Sequence, residues 1–270
     1  LIMPKIEDPE TASTLVVQSF KSGEIPVWLN ACLNSVRLWA NKAGFDYQFV
    51  DDEIFDLLPN NYRQIADKRV PILTDLGRLL LIRRAISGAY SRAIWVDADV
   101  LVFDPEILCI PSGVGHAFCR EIWVQDDLNK KGSFRVYHNV HNAVCLFERD
   151  DTFLNFYIYA CERIVTASRG LVPNQIVGTK FLTALHNIVA FPLINSVGML
   201  SPVVLRDIAL GGGAAIDCLI QELPDPLAAV NLCMSLAGGN VGGVELSDQR
   251  MELICHRLMS QGLAPKSAAK

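Results

Sequence analysis

The sequence has no excess of basic residues. Of its 270 residues, 24 are Lys or Arg and 29 are Asp or Glu, so the formal net charge at pH 7 is -5. A protein that binds nucleic acid needs a cationic surface that neutralises phosphates. We therefore expect no nucleic-acid partner.

Paired cysteines and long apolar runs are also missing. The eight cysteines include no CxxC pair and no His/Cys cluster at zinc spacing, which predicts reduced thiols in a cytoplasmic protein. No apolar run reaches the length of a membrane span, and Leu1–Glu10 lacks the hydrophobic region of a signal peptide. We expect a soluble protein, and peripheral association with a membrane stays open.

The composition is that of an ordered domain. Hydrophobic residues make up 51% of the chain and charged residues 20%, a balance that favours a large buried sheet over disorder. The length suits one large α/β domain. We predict a single domain over residues 1–262, with a donor-binding half at about 12–110 and a closing half at about 111–262, and a flexible tail over 263–270.

Apolar patterns of strand and helix type alternate along the first half of the chain. Such alternation is typical of a mostly parallel central sheet flanked by helices, in which ligands bind beyond the carboxyl ends of the strands. Strands are predicted at 14–19, 45–50, 93–96, 100–103, 115–120 and 142–148, and helices at 27–43, 72–88 and 152–167.

Asp97 and Asp99 are the clearest candidates for a functional site. They flank Ala98 between an apolar strand and a second apolar segment, so a turn there would direct both carboxylates into one cleft. Two carboxylates that close together suit a hard divalent cation such as Mg²⁺ or Mn²⁺, which also binds diphosphate. An acidic pair on a surface loop is the simpler alternative.

Asp75 and Arg78 lie one helical turn apart and therefore share a helix face. They form either an ordinary surface ion pair or a pair of ligand-binding side chains. Spacing alone does not choose between these.

Together, these motifs resemble the DXD region of glycosyltransferases with the GT-A fold, including the yeast-type initiating mannosyltransferases and the bacterial glucosylating toxins. The resemblance runs from Val16–Lys21 and Ile25–Trp28 through Asp75–Arg78 to Ile94–Val100, roughly the first 105 residues. It implies a Rossmann-like α/β fold and a metal-dependent enzyme of the hexosyltransferase class. Such an enzyme moves a sugar from a UDP- or GDP-sugar to an acceptor hydroxyl, with retention of configuration.

The resemblance also implies roles for the residues in the first half of the chain. Asp75 and Arg78 would hold the sugar or ribose of the donor, Asp97 the ribose or the metal, and Asp99 the metal. Gln18 and Phe20, at the end of the first strand, are candidates for the nucleotide base, although burial in the core explains Phe20 equally well. The acceptor would be a glycan, a lipid-linked glycan or a small molecule.

The second half matches the family less closely. Asn139 or Asn142 resembles the asparagine that precedes a core strand near the donor sugar, and Gln175 lies in a segment resembling the loop that closes over the donor. Asn142 and Gln175 are the predicted catalytic residues. His256 is the predicted third metal ligand, and the glycine-rich segment 237–243 is either a lid or a connector.

Three alternatives remain. A phosphatase of the haloacid dehalogenase type also has an Asp-x-Asp after a strand, but its nucleophile ends the first strand of the chain. A sugar-nucleotide-binding protein that has lost its activity would keep the same two aspartates. Finally, Asp126 or Asp127 would be the base of an inverting reaction instead of a retaining one.

Overall fold

The computed structural model describes residues 13–67, 69–168 and 173–263. Residues 1–12 and all of the predicted tail except Leu263 lie outside these ranges. The strands are β1 (Thr14–Ser19), β2 (Asp46–Val50), β3 (Arg92–Val96), β4 (Val100–Val102), β5 (His116–Asp126), β6 (Phe134–Glu148), β7 (Leu193–Ile194), β8 (Val197–Met199), β9 (Ala229–Asn231), β10 (Asn240–Val241) and β11 (Val244–Glu245).

The three helices predicted at 27–43, 72–88 and 152–167 agree with the observed ones to within two residues at each end. The α-helices are α1 (Val27–Lys42), α2 (Asn60–Ala66), α3 (Val70–Ser87), α4 (Phe153–Ala167), α5 (Thr179–His186), α6 (Pro202–Leu210), α7 (Ala214–Glu222) and α8 (Asp248–Gln261). Two short 3-10 helices cover Asp52–Leu57 and Met234–Leu236. Within the described ranges, no helix combines the length and apolar character that crossing a membrane requires.

The central sheet has six strands in the order β2-β1-β3-β6-β5-β7. Pairing is parallel between β1 and both β2 and β3 and between β5 and β7, whereas β6 runs antiparallel to β3 and β5. Five of the six strands therefore share one direction. This confirms the predicted α/β architecture with a mostly parallel central sheet and flanking helices.

Alternate residues of the central strands face opposite layers of helices. Val16 and Ile94 pack in one apolar cluster with Trp39 of α1, and Val17 and Trp95 pack in another with residues of α3 and α4. Because both faces are covered, β1 and β3 are buried at nearly every position. Trp28, Trp39 and Trp95 are all buried, since each is at most 4% exposed.

A second sheet of three strands, in the order β4-β9-β8, adjoins the end of β3. The segment predicted as a strand at 100–103 is β4, which pairs antiparallel with β9, while β8 pairs parallel with β9. The chain thus leaves the central sheet after β3 and enters the second sheet within four residues. The candidate acids occupy that transition.

The strands predicted at 115–120 and 142–148 are parts of a longer hairpin. β5 and β6 pair in register from His116↔Phe147 to Asp126↔Phe134, with a bulge between Phe118 and Cys119. The outer half of the hairpin was not predicted from the sequence, because polar and charged side chains interrupt its apolar pattern and the outer part of β6 is only partly buried. Asn139 and Asn142, expected to precede a strand, instead lie inside β6.

Helix α5 covers the edge of β6 that β3 leaves unpaired. The Val140 amide donates a hydrogen bond to Thr183 Oγ1 at 2.9 Å.

Substitution Thr183→Val keeps the shape of the side chain but leaves this amide without its acceptor. We expect it to lower the free energy of unfolding by about 1–3 kcal/mol, measured by urea denaturation. The exposed Thr166→Val is the control, and equal stability of the two variants would contradict this assignment.

Candidate active site

A turn at the end of β3 presents the two acids. The Asp97 amide donates to the Ala143 carbonyl at 2.7 Å, which extends the pairing with β6 by one residue, and the Val100 amide donates to the Asp97 carbonyl at 3.1 Å. Ala98 is buried between them. Asp97 and Asp99 therefore both lie at the carboxyl end of a central strand, where ligands bind in open α/β sheets.

Arg78 of α3 joins this turn to three other groups. Its guanidinium lies 3.2 Å from Asp75 Oδ1 and 3.3 Å from Asp97 Oδ1, and it donates to the Asn142 carbonyl at 2.6 Å. It also stacks over the Trp95 ring at 5.2 Å. Since Asp75 and Arg78 are each only 5% exposed, the alternative of an ordinary surface ion pair is excluded.

The local sequence explains why α3 approaches so closely. A proline in the first turn suits the start of the helix, and Asp75 and Arg78 follow on one face. A Cβ at Gly77 would lie 3.0 Å from Ile54 Cγ1 in the 3-10 helix Asp52–Leu57. The glycine thus lets these two segments pack closely, and this packing helps to fix α3 beside the sheet.

Asp97 is fixed in place from three sides. Besides Arg78, the Trp95 indole donates to its Oδ1 at 2.6 Å. Gln18, fully buried, donates to its backbone carbonyl at 3.2 Å and accepts from the Tyr47 hydroxyl at 3.1 Å. Gln18 was predicted to contact the base of the donor, and in the structure its side chain holds the Asp97 turn.

Asp99 contacts a different part of the chain. Its Oδ1 accepts from Asn231 Nδ2 and its Oδ2 from the Met234 amide, both at 2.7 Å. Its own carbonyl accepts from the Leu232 amide at 2.9 Å. The second acid is therefore oriented by the last residue of β9 and by the segment that follows it.

The four charged groups Asp75, Arg78, Asp97 and Asp99 do not balance. Burial raises the pKa of Asp75 to about 6, against the opposing effect of Arg78 and the Asn142 amide. Burial and repulsion by Asp97 raise the pKa of Asp99 to about 6 as well. Burial opposes the charged form of Arg78, but the two acids outweigh it and raise its pKa. Among the described acids, Arg78 pairs with Asp75 and Asp97 only, so the three carboxylates and one guanidinium carry excess negative charge that a cation would neutralise.

A fourth acid, Glu121, lies in the same region and is buried. Glu121 of β5 accepts from Asn139 Nδ2 at 2.7 Å, and burial raises its pKa. Burial also raises the pKa of the Cys233 thiol, and Asp99, Glu121 and Asp97 add to this effect in that order. Asn139 is therefore the hydrogen-bond partner of a buried acid near the site. Glu121 was not among the residues predicted from the sequence.

The loop before α5 closes one side of the network. A Cβ added to Gly178 would lie 3.1 Å from Asp75 Oδ2 and 3.3 Å from Asn142 Oδ1. Asn142 Nδ2 itself donates to Asp75 Oδ1 at 2.9 Å. The Asn142 amide is therefore engaged within the protein, while Gln175 lies exposed three residues before Gly178.

Among the described residues, several predicted site residues form no hydrogen bond or ion pair with Asp97 or Asp99. His256 is exposed on α8, and across the described ranges no three His, Cys, Asp or Glu side chains are grouped to hold a metal ion. Asp126 and Asp127 lie at the tip of the β5–β6 hairpin, where Asp127 pairs with Arg135 at 3.1 Å. Phe20 follows β1 and is half-buried.

The donor set fits a divalent cation held mainly by its substrate. Mg²⁺ is commonly bound through one or two carboxylates together with phosphates and water. Asp97 and Asp99 supply two carboxylates at a partly open strand end, and the uncompensated charge there favours a cation. A protein cage with three or more side-chain ligands is not present in the described residues.

Comparison with solved structures finds similarity to glycosyltransferases. A glycosyltransferase involved in glycosylation of the major capsid of PBCV-1 has a TM-score of 0.46 and 11% identity, over 89% of this chain and 98% of that one. Mouse xyloside xylosyltransferase 1 has a TM-score of 0.38 and 10% identity, over 83% and 98%. A Drosophila β1,4-galactosyltransferase 7 mutant, in complex with manganese, UDP-Gal and xylobiose, has 0.28 and 12%, over 56% and 62%.

No protein-family model matches the chain, and no curated protein does. Identities of 10–12% do not carry function from one protein to another. The functional assignment therefore rests on the residues of the site.

Substitution Arg78→Lys tests the network. A lysine keeps the charge but lacks the planar fork that reaches Asp75, Asp97 and the Asn142 carbonyl together. We expect a loss of about 2–3 kcal/mol in the free energy of unfolding, measured by denaturant titration, whereas the exposed Arg83→Lys changes it by less than about 0.5 kcal/mol. Equal stability of both variants would contradict the central role of Arg78.

Proposed function

We propose that the protein is a metal-dependent glycosyltransferase of the GT-A type that uses a nucleotide-sugar donor. One observation carries the proposal: Asp97 and Asp99 flank a turn at the end of β3, and Asp97 is held by the buried Asp75–Arg78–Asn142 network. The similarity of the sequence motifs to DXD enzymes supports the same function. The proposal treats residues 1–262 as one domain.

The proposed metal is Mn²⁺ or Mg²⁺, with Asp97 and Asp99 as its protein ligands. Bound there, the cation supplies positive charge to the leaving nucleoside diphosphate. Asp97 has little freedom to move, because Trp95 and Arg78 both hold its Oδ1. Preorganised ligands of this kind need little rearrangement when the donor binds.

Asp75 and Arg78 contribute by positioning within this proposal. Arg78 is almost fully buried and bonds to Asp75, Asp97 and the Asn142 carbonyl. We therefore expect Arg78 to hold Asp97 in place. The sequence alone suggested that Arg78 contacts the donor. Asn142 likewise holds Asp75. Phe20, half-buried at the end of β1, stays the proposed stacking surface for the base.

Sugar transfer requires a group near the reacting carbon and exclusion of water. We propose Gln175 as the catalytic amide of a retaining reaction, because it is exposed on the loop whose Gly178 packs against Asp75 and Asn142. The hairpin β10–β11, with positive φ at Gly238, Gly242 and Gly243, is the proposed lid. The acceptor would be a glycan, a lipid-linked glycan or a small molecule.

The proposed location is the cytoplasm. Its support is the set of eight cysteines, all of which are free thiols. Reduced thiols persist where glutathione and thioredoxin keep the compartment reducing.

A thermal-shift screen of UDP- and GDP-sugars, with and without Mn²⁺, tests the donor and metal assignment. We expect at least one sugar nucleotide to raise the melting temperature only when Mn²⁺ is present. Substitution Asp99→Asn should abolish that increase, because the amide removes one of the two anionic ligands. Asp150→Asn, on the exposed turn after β6, is the matched control and should retain it.

Turnover separates the enzyme from a binding protein. Release of UDP or GDP from the stabilising donor, by transfer or by hydrolysis, is expected for the wild type. A Mn²⁺-dependent shift that persists in Asp99→Asn would overturn the metal assignment. Donor binding without any release over an acceptor panel would favour the inactive binder, and hydrolysis of an aryl phosphate would favour the phosphatase.

A further inference from the structure

The two acids of the pair differ in how their charge is compensated. Asp97 lies 3.3 Å from the Arg78 guanidinium, so a full positive charge faces it. In the part of the chain that the structure describes, no Lys, Arg or His forms an ion pair with Asp99. Its two carboxylate oxygens accept from an amide side chain and a backbone amide, both neutral donors.

Neutral donors orient a carboxylate without cancelling its charge. The two hydrogen bonds of 2.7 Å fix both oxygens of Asp99, one each, so the plane of the carboxylate is set. A lysine or arginine in the same place would compete with a bound cation. Asp99 is therefore held in a fixed orientation by neutral groups, and its negative charge can bind an external cation.

The turn 231–234 carries the groups that orient Asp99. Strand pairing places Asn231 opposite Val100, next to Asp99. Cys233 then adopts left-handed backbone angles, φ 50° and ψ 67°, which turn the chain back toward the acid. The Cys233 amide donates to Asn231 Oδ1 at 2.7 Å, so the turn also fixes the asparagine side chain.

Asn231 is suited to this place by its side chain. It is 3% exposed, its Oδ1 accepts from Cys233, and its Nδ2 donates to Asp99. Aspartate at this position would lose the donor and add repulsion, and leucine would lose both bonds. A left-handed non-glycine residue such as Cys233 is strained and persists where its surroundings hold it.

We propose that Asn231 is the positioning residue of the cation site and that it acts by orienting Asp99 through the turn 231–234. The inference rests on the proposed function, since it concerns the same cation. It assigns the second half of the chain a defined part in donor binding: the end of β9 and the turn after it complete a site whose acids come from the end of β3.

Mn²⁺ binding measures this role without enzyme turnover. The electron paramagnetic resonance signal of free Mn²⁺ is followed as protein is added, with Mn²⁺ alone and with UDP or GDP. We expect Asn231→Ala to weaken Mn²⁺ binding about tenfold or more, the usual cost of losing a group that orients a metal ligand. Asn195→Ala is the matched control, because Asn195 bonds to Arg120 and Asp225 away from the site.

The double variant separates positioning from general damage to the fold. On an Asp99→Asn background, Asn231→Ala should weaken residual Mn²⁺ binding no further, since the residue acts through Asp99. If Asn231→Ala does not fold, as judged by circular dichroism, Asn231→Ser replaces it. Its shorter side chain cannot span the 2.7 Å contact, so the same loss is expected.

The outcomes are distinct. Wild-type protein that binds no Mn²⁺ in any of the three conditions overturns the proposed function and this inference with it. Wild-type binding that is unchanged in Asn231→Ala or Asn231→Ser overturns the inference alone. An equal further loss on the Asp99→Asn background also overturns it, because Asn231 would then act independently of Asp99.

Discussion

The buried guanidinium of Arg78 is the constraint on which the candidate site depends. A cation shielded from water is costly unless its donors are satisfied, and here Asp75, Asp97 and the Asn142 carbonyl satisfy them. Those partners come from α3, from the end of β3 and from β6. One side chain therefore fixes the position of a helix and two strands relative to one another, and with them the first acid of the pair.

The second acid is held by different means. Asp99 lies in the turn that leads from the central sheet into the β4-β9-β8 sheet, and its orientation comes from residues more than 130 positions later in the chain. Asp97 is thus held beside a guanidinium, whereas Asp99 is held by neutral donors. Two such carboxylates side by side repel each other, and a divalent cation between substrate and protein would relieve that repulsion.

Much of the donor half was predictable because its signals are local. Apolar runs bounded by turn residues gave the strands β1 and β3, helical periodicity gave α1 and α3, and Asp97 and Asp99 follow β3 directly. Asn231 carries no such signal, since its importance arises only when β9 pairs with β4. The same holds for Glu121 and for Gly178, whose neighbours are distant in the chain. His256 is exposed on α8, and a helical pattern does not say which other elements an exposed face lies near.

Anomalous scattering from a crystal of the protein grown with Mn²⁺ and the nucleoside diphosphate that stabilises it tests the central claim most directly. The account predicts one strong manganese peak between the nucleotide phosphates and the carboxylates of Asp97 and Asp99. Bound nucleotide with no manganese peak at these two residues, or with the peak at other side chains, would contradict it.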